Sequence, residues 1–467
     1  MRILLLQPPL PSSVRDIAMP PLGLACVASS AIAAGHDVEI LDAWTKDLDY
    51  EETCGWIQSR VPWDLIGVSA TTPVFSALEP QAERLARFCR WLVLGGAHIS
   101  ALAMEGELVL PAGFDFGVIG EGETSFVELL GTLAGGFDPS KELPQGVFAP
   151  GRPFRPRSLP EDLVRLPPPA RHLVAENSYV YPFAFGRLVS STFTSRGCPY
   201  GCVFCDHAVF GRKIRFVPVS KVLEDLSTLV SAGIEYVVFF DDLFTLDSGR
   251  VAKICAEIIR RGWKFGWKCE GRVDTIETLP LDLMKRAGCE CIALGIESAN
   301  PGSLKFLGKR TTPELTMKAV RLIRMARIRV MGYFILGIPG ETWENAIRTI
   351  RFAKVLKCDY AQFSSLAPLP GTPLKRWAKQ MGVFFEARAG NPFDFPANRP
   401  GIRTGIWNEK SLSEILRTAY RSFFLSPGYL VRRLLGIRSW GEFKTVFRSG
   451  LGVLGYALGR TSGRRGK

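Results

Sequence analysis

Short apolar runs alternate with segments of helical length in two separate blocks of this sequence. In the first block the apolar runs are continuous, and we interpret five of them as strands, at residues 2–6, 37–41, 65–69, 91–95 and 116–119. Segments of helical length and composition, such as 22–34 and 75–89, lie between them. Continuous apolar strands joined by helical crossovers are typical of a parallel sheet covered on both faces. Residues 1–140 therefore predict a doubly wound, Rossmann-like α/β domain that binds its ligand at the carboxyl ends of the strands.

The second block predicts six further units of strand and helix. Its candidate strands lie at residues 192–195, 236–240, 265–269, 291–296, 330–336 and 360–364. Six such units predict a partial parallel (β/α)6 barrel over residues 191–375, with its site at the C-terminal ends of the strands. Residues 141–190 are rich in proline, which disfavours regular helix and sheet, so we expect an irregular connector there.

The composition is that of a core-forming protein. Of the 467 residues, 47% are hydrophobic and 22% are charged, which excludes a disordered chain. Eleven cysteines without a disulfide-like pattern indicate a reducing, cytoplasmic location. The sequence contains no run of about 20 apolar residues, so we expect a chain that does not span a membrane.

Three thiols fall in one short loop, at Cys198, Cys202 and Cys205. A structural zinc site takes four protein ligands, whereas three ligands leave one position open for a substrate. A zinc site completed by His207 is the alternative, because thiolates suit both zinc and iron–sulfur centres. We expect the other cysteines of the second block to be core residues; a second cluster would draw on Cys269, Cys289 and Cys291.

The spacing CxxxCxxC, with Phe204 before its last cysteine, resembles the signature loop of the radical S-adenosylmethionine (radical SAM) enzymes. The resemblance implies that Cys198, Cys202 and Cys205 hold a 4Fe-4S cluster whose unique iron binds the amino and carboxylate groups of SAM. It further implies cleavage of SAM into methionine and a 5′-deoxyadenosyl radical, with an electron donor such as flavodoxin or ferredoxin as a partner.

Polar residues follow the predicted barrel strands, as expected for this resemblance. The family's usual Gly-Gly-Glu motif after the second strand is replaced here by Phe240-Asp241-Asp242, although Asp241 and Asp242 could equally cap the next turn. A guanidinium fork suits a carboxylate, which favours Arg272 as the partner of the SAM carboxylate. By resemblance, the SAM contacts are Glu297 and Ser298 for the ribose, Arg272 for the carboxylate, Asp242 for the amino group, and the backbone around Phe204 and Ile338 for the adenine.

The loops after the strands of the first block are rich in glycine and hydroxyl residues. Glycine lets a backbone approach a bulky ligand closely, and no G-x-G-x-x-G follows the first strand, which disfavours a dinucleotide. These loops resemble the cobalamin-binding domain that precedes the barrel in one large radical SAM subfamily. The resemblance implies cobalamin contacts from Ser69, Thr71, Gly96, His98, Gly120 and Glu121.

One departure from other cobalamin proteins concerns the cobalt ligand. The D-x-H-x-x-G motif, which supplies a histidine to cobalt in many of them, is absent, and Asp42-Ala43-Trp44 has tryptophan at the histidine position. Members of the resembled subfamily often lack this motif. For His98, a hydrogen-bonded loop histidine and a cofactor contact remain open alternatives.

The C-terminal region, residues 376–467, is predicted to be basic and mainly helical. Residues 401–467 contain 13 Lys or Arg against three Glu, a balance of +10. Ser411 and Glu414 form a capping-box pattern, followed by an apolar stripe from Leu412 to Phe423. Beyond Pro427, aromatic and aliphatic residues mixed with arginine favour peripheral contact with anionic lipid at the inner face of the membrane, or a packed extension with a solvated charged face. Nucleic acid is the least favoured partner, since the region lacks a dedicated binding module.

Together these patterns predict a cobalamin-dependent radical SAM enzyme with a small-molecule or lipid substrate. The favoured activity is methylation of an unactivated carbon in a hydrophobic substrate, such as a lipid, an isoprenoid or a tetrapyrrole. Radical oxidative cyclisation or rearrangement is the alternative, because the chain also resembles the anaerobic cyclase of chlorophyll synthesis and hopanoid-modifying enzymes. A non-enzymatic metal- and cobalamin-binding sensor or zinc module is a third hypothesis.

Overall fold

Two six-stranded sheets organise the described part of the chain. The structure is a computed structural model that describes residues 1–10, 18–136, 138, 142–176, 178–384, 401–437 and 439–457. The first sheet has the order β2-β1-β3-β4-β5-β6, in which β1 to β5 are parallel and β6 is antiparallel to β5. Its strands are β1 (Arg2–Gln7), β2 (Asp37–Asp42), β3 (Trp63–Ser69), β4 (Cys89–Gly95), β5 (Phe116–Val118) and β6 (Val147–Phe148).

Helices cover both faces of the first sheet, as the doubly wound prediction requires. They are α1 (Leu22–Ala33), α2 (Tyr50–Gln58), α3 (Thr72–Leu78), α4 (Ala82–Ala86), α5 (Ala97–Glu105) and α6 (Gly122–Ala134). Side chains alternate across a strand, so Ile3 and Leu5 of β1 pack on one buried cluster while Leu4 and Leu6 pack on the other.

Two predictions for this block were wrong in detail. The helix expected over 75–89 is interrupted by a 3-10 turn at Glu79–Gln81, because Pro80 lacks the N–H that a continuous helix needs. The chain then enters β4 already at Cys89. The sixth strand, β6, comes from the segment expected to be an irregular connector; elsewhere the described part of that connector has 3-10 turns at Arg171–Val174 and Pro182–Ala184.

The second sheet is an open arc of six parallel strands in the order β14-β13-β12-β11-β10-β7. A separate two-stranded antiparallel ribbon pairs β8 with β9. The strands are β7 (Val189–Thr192), β8 (Ser195–Arg196), β9 (Arg215–Phe216), β10 (Tyr236–Phe239), β11 (Gly266–Gly271), β12 (Cys289–Glu297), β13 (Arg329–Leu336) and β14 (Tyr360–Ser365).

The helices of this block are α7 (Val219–Ser231), α8 (Ser248–Arg260), α9 (Leu281–Arg286), α10 (Pro301–Phe306), α11 (Pro313–Met325), α12 (Trp343–Leu356) and α13 (Pro373–Gln380). Most of them pack against the second sheet, whereas α10 and α13 contribute to a cluster beside the cysteine loop. The first strand lies earlier than the expected 192–195. The backbone leaves the sheet after Thr192 because the N–H of Thr194 donates to both carboxylate oxygens of buried Asp241, at 3.0 Å each.

Three helices, α14 (Glu409–Phe424), α15 (Pro427–Leu435) and α16 (Trp440–Ala457), form the described C-terminal region. The predicted apolar stripe is confirmed, because Leu412, Ile415, Leu416, Ala419 and Phe423 are buried in the barrel core. The capping box begins three residues earlier than predicted, at Asn408, whose side chain accepts the N–H of Ser411 at 3.1 Å. Residues 385–400, 438 and 458–467 of the predicted region lie outside the described residues. Among the described helices, none combines the length and apolarity that crossing a bilayer requires.

Candidate active site

The cysteine loop follows β8 and is pinned by backbone hydrogen bonds. The N–H of Cys198 donates to the carbonyl of Gly211 at 3.4 Å, and the N–H of Val203 donates to the carbonyl of Leu307 at 3.1 Å. Gly308 has a φ of +72°, and a Cβ there would lie 2.8 Å from the carbonyl oxygen of Gly201. Only glycine permits this close approach, so the end of α10 and the cysteine loop are fitted to one another.

The three thiols of the loop are partly buried and free of disulfides. Burial, and then the neighbouring Cys202 and Cys198, raise the pKa of Cys205 to about 12. Burial likewise raises the pKa of Cys198. A cationic metal centre suits such a loop, because metal binding requires thiolates and supplies the compensating charge. In the described residues, no three His, Cys, Asp or Glu side chains are already gathered as metal ligands, so the thiols must turn inwards to hold a cluster.

Neither competing metal hypothesis finds a prepared site in the described residues. His207, the fourth ligand of the zinc alternative, is not gathered with the thiols, and its Nε2 is buried without a hydrogen-bond partner there. Cys269, Cys289 and Cys291 are fully enclosed in the core, as expected of structural cysteines. The three thiols of the loop are likewise not gathered in the described residues, so the choice of metal follows from the sequence motif and not from the ligand geometry.

Arg272 lies directly against the cysteine loop. Its guanidinium donates to the sulfur of Cys202 at 3.6 Å, and its Cζ lies 3.6 Å from the ring centroid of Tyr200. Two further hydrogen bonds, of 2.9 and 3.0 Å, join it to both oxygens of Asp274. The guanidinium is therefore held in place, with Asp274 as its carboxylate partner in this structure.

Glu297 ends β12 with a φ of +64°, in the left-handed region that a non-glycine residue rarely occupies. Its carboxylate forms a buried ion pair of 2.8 Å with Lys309, which also donates to the carbonyl of Gly295 at 3.1 Å. Backbone strain of this kind persists where the surroundings impose it, and it concentrates at functional sites. Lys309 was missed at the level of sequence, since no strand-end motif includes it.

Ser298 and Ile338 lie in the same strand-end region, and both are buried. The hydroxyl of Ser298 lies 3.1 Å from the hydroxyl of Thr349. The loop around Ile338 is held by Glu341, whose carboxylate accepts the N–H groups of Gly337 at 2.9 Å and Ile338 at 3.3 Å. Burial raises the pKa of Glu341 to about 7 despite these bonds.

Asp241 and Asp242 both hold the chain that leads into the cysteine loop. Asp241 accepts hydrogen bonds from the hydroxyls of Thr194 and Ser195. Asp242 accepts the N–H of Gly197, the residue before Cys198, at 2.9 Å. Phe204 packs with Ile338 in a small apolar cluster beside the loop. Of the six predicted SAM residues, Phe204 belongs to the loop, and Asp242, Arg272 and Ile338 contact the loop or the residue before it. Glu297 and Ser298 lie at the end of β12.

The predicted cobalamin residues divide into two groups. Ser69, Gly96, Gly120 and Glu121 line a cavity of about 140 Å³ at the carboxyl ends of β3, β4 and β5. A neighbouring cavity of about 310 Å³ shares Gly120 and Glu121 and extends to His207 in the segment after the cysteine loop. Thr71 lines neither of these two cavities and is exposed at the start of α3. Glycine is required at position 96, where φ is +98° and a Cβ would lie 2.7 Å from the carbonyl oxygen of Ala70.

His98 is buried and lines neither of these two cavities. Its Nδ1 lies 3.2 Å from the hydroxyl of Thr72, and its ring stacks on Phe75 with centroids 3.9 Å apart. Burial, assisted by Lys375, lowers the pKa of His98 to about 4. His98 lies in the first turn of α5 and is a hydrogen-bonded histidine, and its contact with the cofactor stays a prediction.

The buried imidazole predicts a pH-dependent stability. The folded protein holds His98 with a pKa near 4, against about 6.5 when unfolded. The neutral imidazole therefore contributes fully to the free energy of unfolding above pH 6.5. That contribution is lost as the pH falls towards 4, since the unfolded chain then binds the extra proton. Urea unfolding at several pH values should show a steeper decline below pH 6.5 for the native protein than for His98→Gln. Parallel curves for the two proteins would contradict this.

A buried ion-pair network joins the first sheet to the start of the cysteine loop. Arg196, two residues before Cys198, donates to Glu121 at 2.9 Å and to Glu123 at 2.5 Å. Arg215 of β9 forms a further ion pair with Glu121. Both oxygens of Glu121 are thus engaged by arginines, which the sequence pattern did not reveal because the partners lie 75 and 94 residues away.

Comparisons with known proteins agree with this arrangement. The sequence matches the B12 binding domain over residues 14–130 and the radical SAM superfamily over residues 192–353. It is 34% identical to an uncharacterized methyltransferase of Pyrococcus horikoshii over 92% of this chain and 94% of the relative. The chain belongs to the cobalamin-dependent radical SAM enzymes. Its cofactors are accordingly a 4Fe-4S cluster, S-adenosylmethionine and cobalamin.

Other members of this radical SAM family differ in reaction. An anaerobic magnesium-protoporphyrin IX monomethyl ester cyclase of Rubrivivax gelatinosus is 28% identical over 98% of this chain and 85% of its own length. A hopanoid C-3 methylase of Methylococcus capsulatus is 29% identical over 76% of this chain and 68% of its own. The solved structure of the cobalamin-dependent radical SAM enzyme OxsB has a TM-score of 0.73, with 16% identity over 98% of this chain and 72% of that one, and supports the fold.

Proposed function

We propose that this radical SAM enzyme methylates an unactivated carbon of a hydrophobic substrate of the lipid, isoprenoid or tetrapyrrole class. The observation that carries the proposal is the pair of neighbouring cavities between the cobalamin-binding sheet and the segment after the cysteine loop. They share Gly120, Glu121 and Glu123. One substrate could thus meet both cofactor regions, which a methyl transfer started by a radical requires.

The larger cavity suits an apolar substrate. Its lining is dominated by hydrophobic side chains that come from the first sheet, the connector and the segment after the cysteines, namely Met104, Ile119, Phe154, Leu159, Leu166 and Val209. Ligand pockets of this kind are mostly apolar, with a few polar groups that orient the ligand. The polar side chains that line it, and that could orient the ligand, are Ser100, Glu121, Glu123, Thr124, Arg157, Ser158 and His207.

The proposed cofactor contacts follow from the site geometry and the family resemblance. Cys198, Cys202 and Cys205 would hold the cluster, and Ser69, Gly96, Gly120 and Glu121 would border cobalamin. The SAM contacts would be Phe204, Asp242, Arg272, Glu297, Ser298 and Ile338. When bound, the cluster with SAM supplies the radical and cobalamin supplies the methyl group.

The protein's own part is to bind and orient. Arg272 lies beside Cys202 with its guanidinium already desolvated, so it would stabilise negative charge on sulfur or on a bound carboxylate. The ion pair of Glu297 with Lys309 fixes the strained end of β12, and Glu341 fixes the loop at Ile338. Preorganised groups of this kind do not need to reorganise when the substrate reacts.

Isotope transfer from SAM tests the reaction type. The full-length protein would be reconstituted anaerobically with cobalamin, iron and sulfide, and supplied with SAM that carries a deuterated methyl group, a reductant and extracts of isoprenoid lipids or of porphyrins. We expect a product with a deuterated methyl group by mass spectrometry. A product without label would instead support cyclisation or rearrangement, the second candidate, which the similarity to the cyclase favours.

Three secondary proposals accompany this function. Flavodoxin or ferredoxin would supply the electron for cluster reduction in the reducing cytoplasm. The cobalamin-binding domain would end near residue 140 and the barrel would begin near residue 191. The strand β6, which pairs with β5, attaches part of the intervening connector to the first of these domains.

A further inference from the structure

A cavity lined by arginines lies at the end of the barrel opposite to the cysteine loop. It has a volume of about 260 Å³ and is bordered by Arg324, Arg327, Arg329, Arg432 and Arg433. Arg329 is the first residue of β13, whereas the loop around Ile338 follows the last residue of the same strand. The cavity is thus separated from the proposed SAM site by the length of a strand.

The charge of this cavity is only partly balanced. Glu442 of α16 pairs with Arg329 at 2.9 Å and with Arg433 at 3.0 Å. Asp359 lies 3.9 Å from Arg324. Five arginines less two carboxylates leave three positive charges around one small cavity. Such a concentration of arginine suits a phosphate group, which the planar guanidinium binds through paired hydrogen bonds.

The helix α15 borders the cavity with its polar face and turns its apolar face towards solvent. Tyr429, Arg432, Arg433 and Gly436, at helical spacing, line the cavity. The opposite face carries apolar side chains that are exposed to solvent: Leu430, Val431, Leu434 and Leu435, the last with 83% of its surface exposed. A helix that packs only against its own protein turns its apolar stripe inwards, so this outward stripe indicates an external partner.

The next helix, α16, carries exposed apolar side chains of its own. Trp440, Phe443 and Phe447 are exposed and stack in succession, with ring centroids 5.1 and 6.2 Å apart. Lys444 lies 5.7 Å from the ring centroid of Trp440. Exposed aromatic rings beside cationic side chains are typical of helices that lie in the interface of an anionic membrane.

We propose that the arginine cavity and the outward faces of α15 and α16, together called the basal surface, dock on an anionic phospholipid bilayer. The helices would lie in the plane of the interface with the leucine and aromatic side chains among the acyl chains. The arginines, on the inner side of α15, would then be at headgroup level and bind lipid phosphate. Charge complementarity and the outward apolar stripe favour this occupant over a nucleic acid, which would not cover the leucines.

The location of the basal surface gives membrane docking a specific consequence. Because it lies at the amino ends of the barrel strands, docking would hold the enzyme at the bilayer while the cysteine loop faces away from it. Docking is therefore independent of the proposed methyl transfer, and SAM cleavage in solution should not require it.

Vesicle sedimentation with the full-length protein tests the proposal. The native protein should sediment with vesicles that contain phosphatidylglycerol and not with phosphatidylcholine alone. Arg327→Gln with Arg432→Gln should weaken binding to the anionic vesicles roughly 30-fold, since each cation near such a surface contributes roughly a fivefold effect. Leu434→Gln with Leu435→Gln should also weaken it, by roughly tenfold, through lost apolar burial.

The matched control removes the same charge elsewhere. Arg348→Gln with Arg351→Gln changes two exposed arginines of α12 that do not line the cavity, and it should bind as the native protein does. Unchanged thermal unfolding and SAM cleavage in both arginine variants would show that the proteins are folded. Equal binding by the two arginine variants would overturn the proposal. So would binding of inorganic phosphate or DNA without vesicle binding, or a dimer that forms through the leucines in place of vesicle binding.

Discussion

Replacing Cys202 by alanine should abolish SAM cleavage and leave cobalamin binding intact. The loop offers only three thiols, so the two that remain cannot replace the missing ligand. Cys202 is the middle one and lies 3.6 Å from the guanidinium of Arg272. We expect loss of the broad absorbance near roughly 400 nm that iron–sulfur clusters show. Loss of a residue that only supports a metal ligand typically lowers activity by about 10–100-fold. Loss of a ligand itself should therefore lower SAM cleavage by more than about 100-fold. The measurements are iron content, the spectrum, and 5′-deoxyadenosine formation.

The control for this variant is Cys89→Ala in the first sheet. Cys89 is also partly exposed and free of disulfides, but it is far from the loop in sequence and follows no cluster motif. The control should keep the cluster and the cleavage activity. Retained iron and deoxyadenosine formation in Cys202→Ala, with cobalamin still bound, would refute the assignment of the loop.

Replacing Arg196 by methionine should destabilise the junction between the first sheet and the β8–β9 ribbon that leads into the cysteine loop. The substitution leaves the carboxylate of Glu123 buried without its partner and removes one of the two arginines from Glu121. Breaking a buried pair in this way typically lowers the free energy of unfolding by about 3–5 kcal/mol. Urea unfolding followed by circular dichroism would measure the change. Because Arg196 precedes the cysteine loop by two residues, the yield of cluster reconstitution should fall as well.

A second variant separates the lost pairing from lost packing. Arg196→Met with Glu123→Gln removes the unpaired charge, while Glu121 keeps its ion pair with Arg215. This double variant should recover part of the stability. Lys213→Met, which breaks the exposed pair with Glu161, should leave the unfolding curve unchanged, because surface pairs are screened by water. Equal stability of Arg196→Met and the native protein would show that the network is not structural.

Much of the fold was accessible from local sequence patterns. Continuous apolar runs such as residues 3–6 predict buried parallel strands, because burial on both faces removes the alternation with polar residues. The deviations arose where one side chain overrides the pattern: Pro80 interrupts a helix, and the carboxylate of Asp241 draws the backbone at Thr194 out of the sheet. The β6 strand is too short for any periodicity to indicate it.

The candidate site was predictable to different degrees. The three cysteines lie within eight residues, so their proximity follows from the chain itself. Residues after strands, such as Arg272 and Glu297, could be placed because parallel strands end on the same side of a sheet. The role of His98 could not be decided in this way, since its contact with Thr72 and its stacking on Phe75 depend on how α3 packs against α5.

The sequence by itself therefore determined the two α/β blocks, the cysteine loop and, through the family resemblance, the cofactors. Those features are encoded by periodicity and short spacings, which any local stretch of chain carries. Only the tertiary structure decided which distant polar groups meet: Arg196 with Glu121 and Glu123, Lys309 with Glu297, and the basal arginines from residues 324–329 with those from 432–433. The physical reason is that apolar periodicity determines which face of an element is buried, whereas the pairing of charges depends on the packing of elements far apart in the chain.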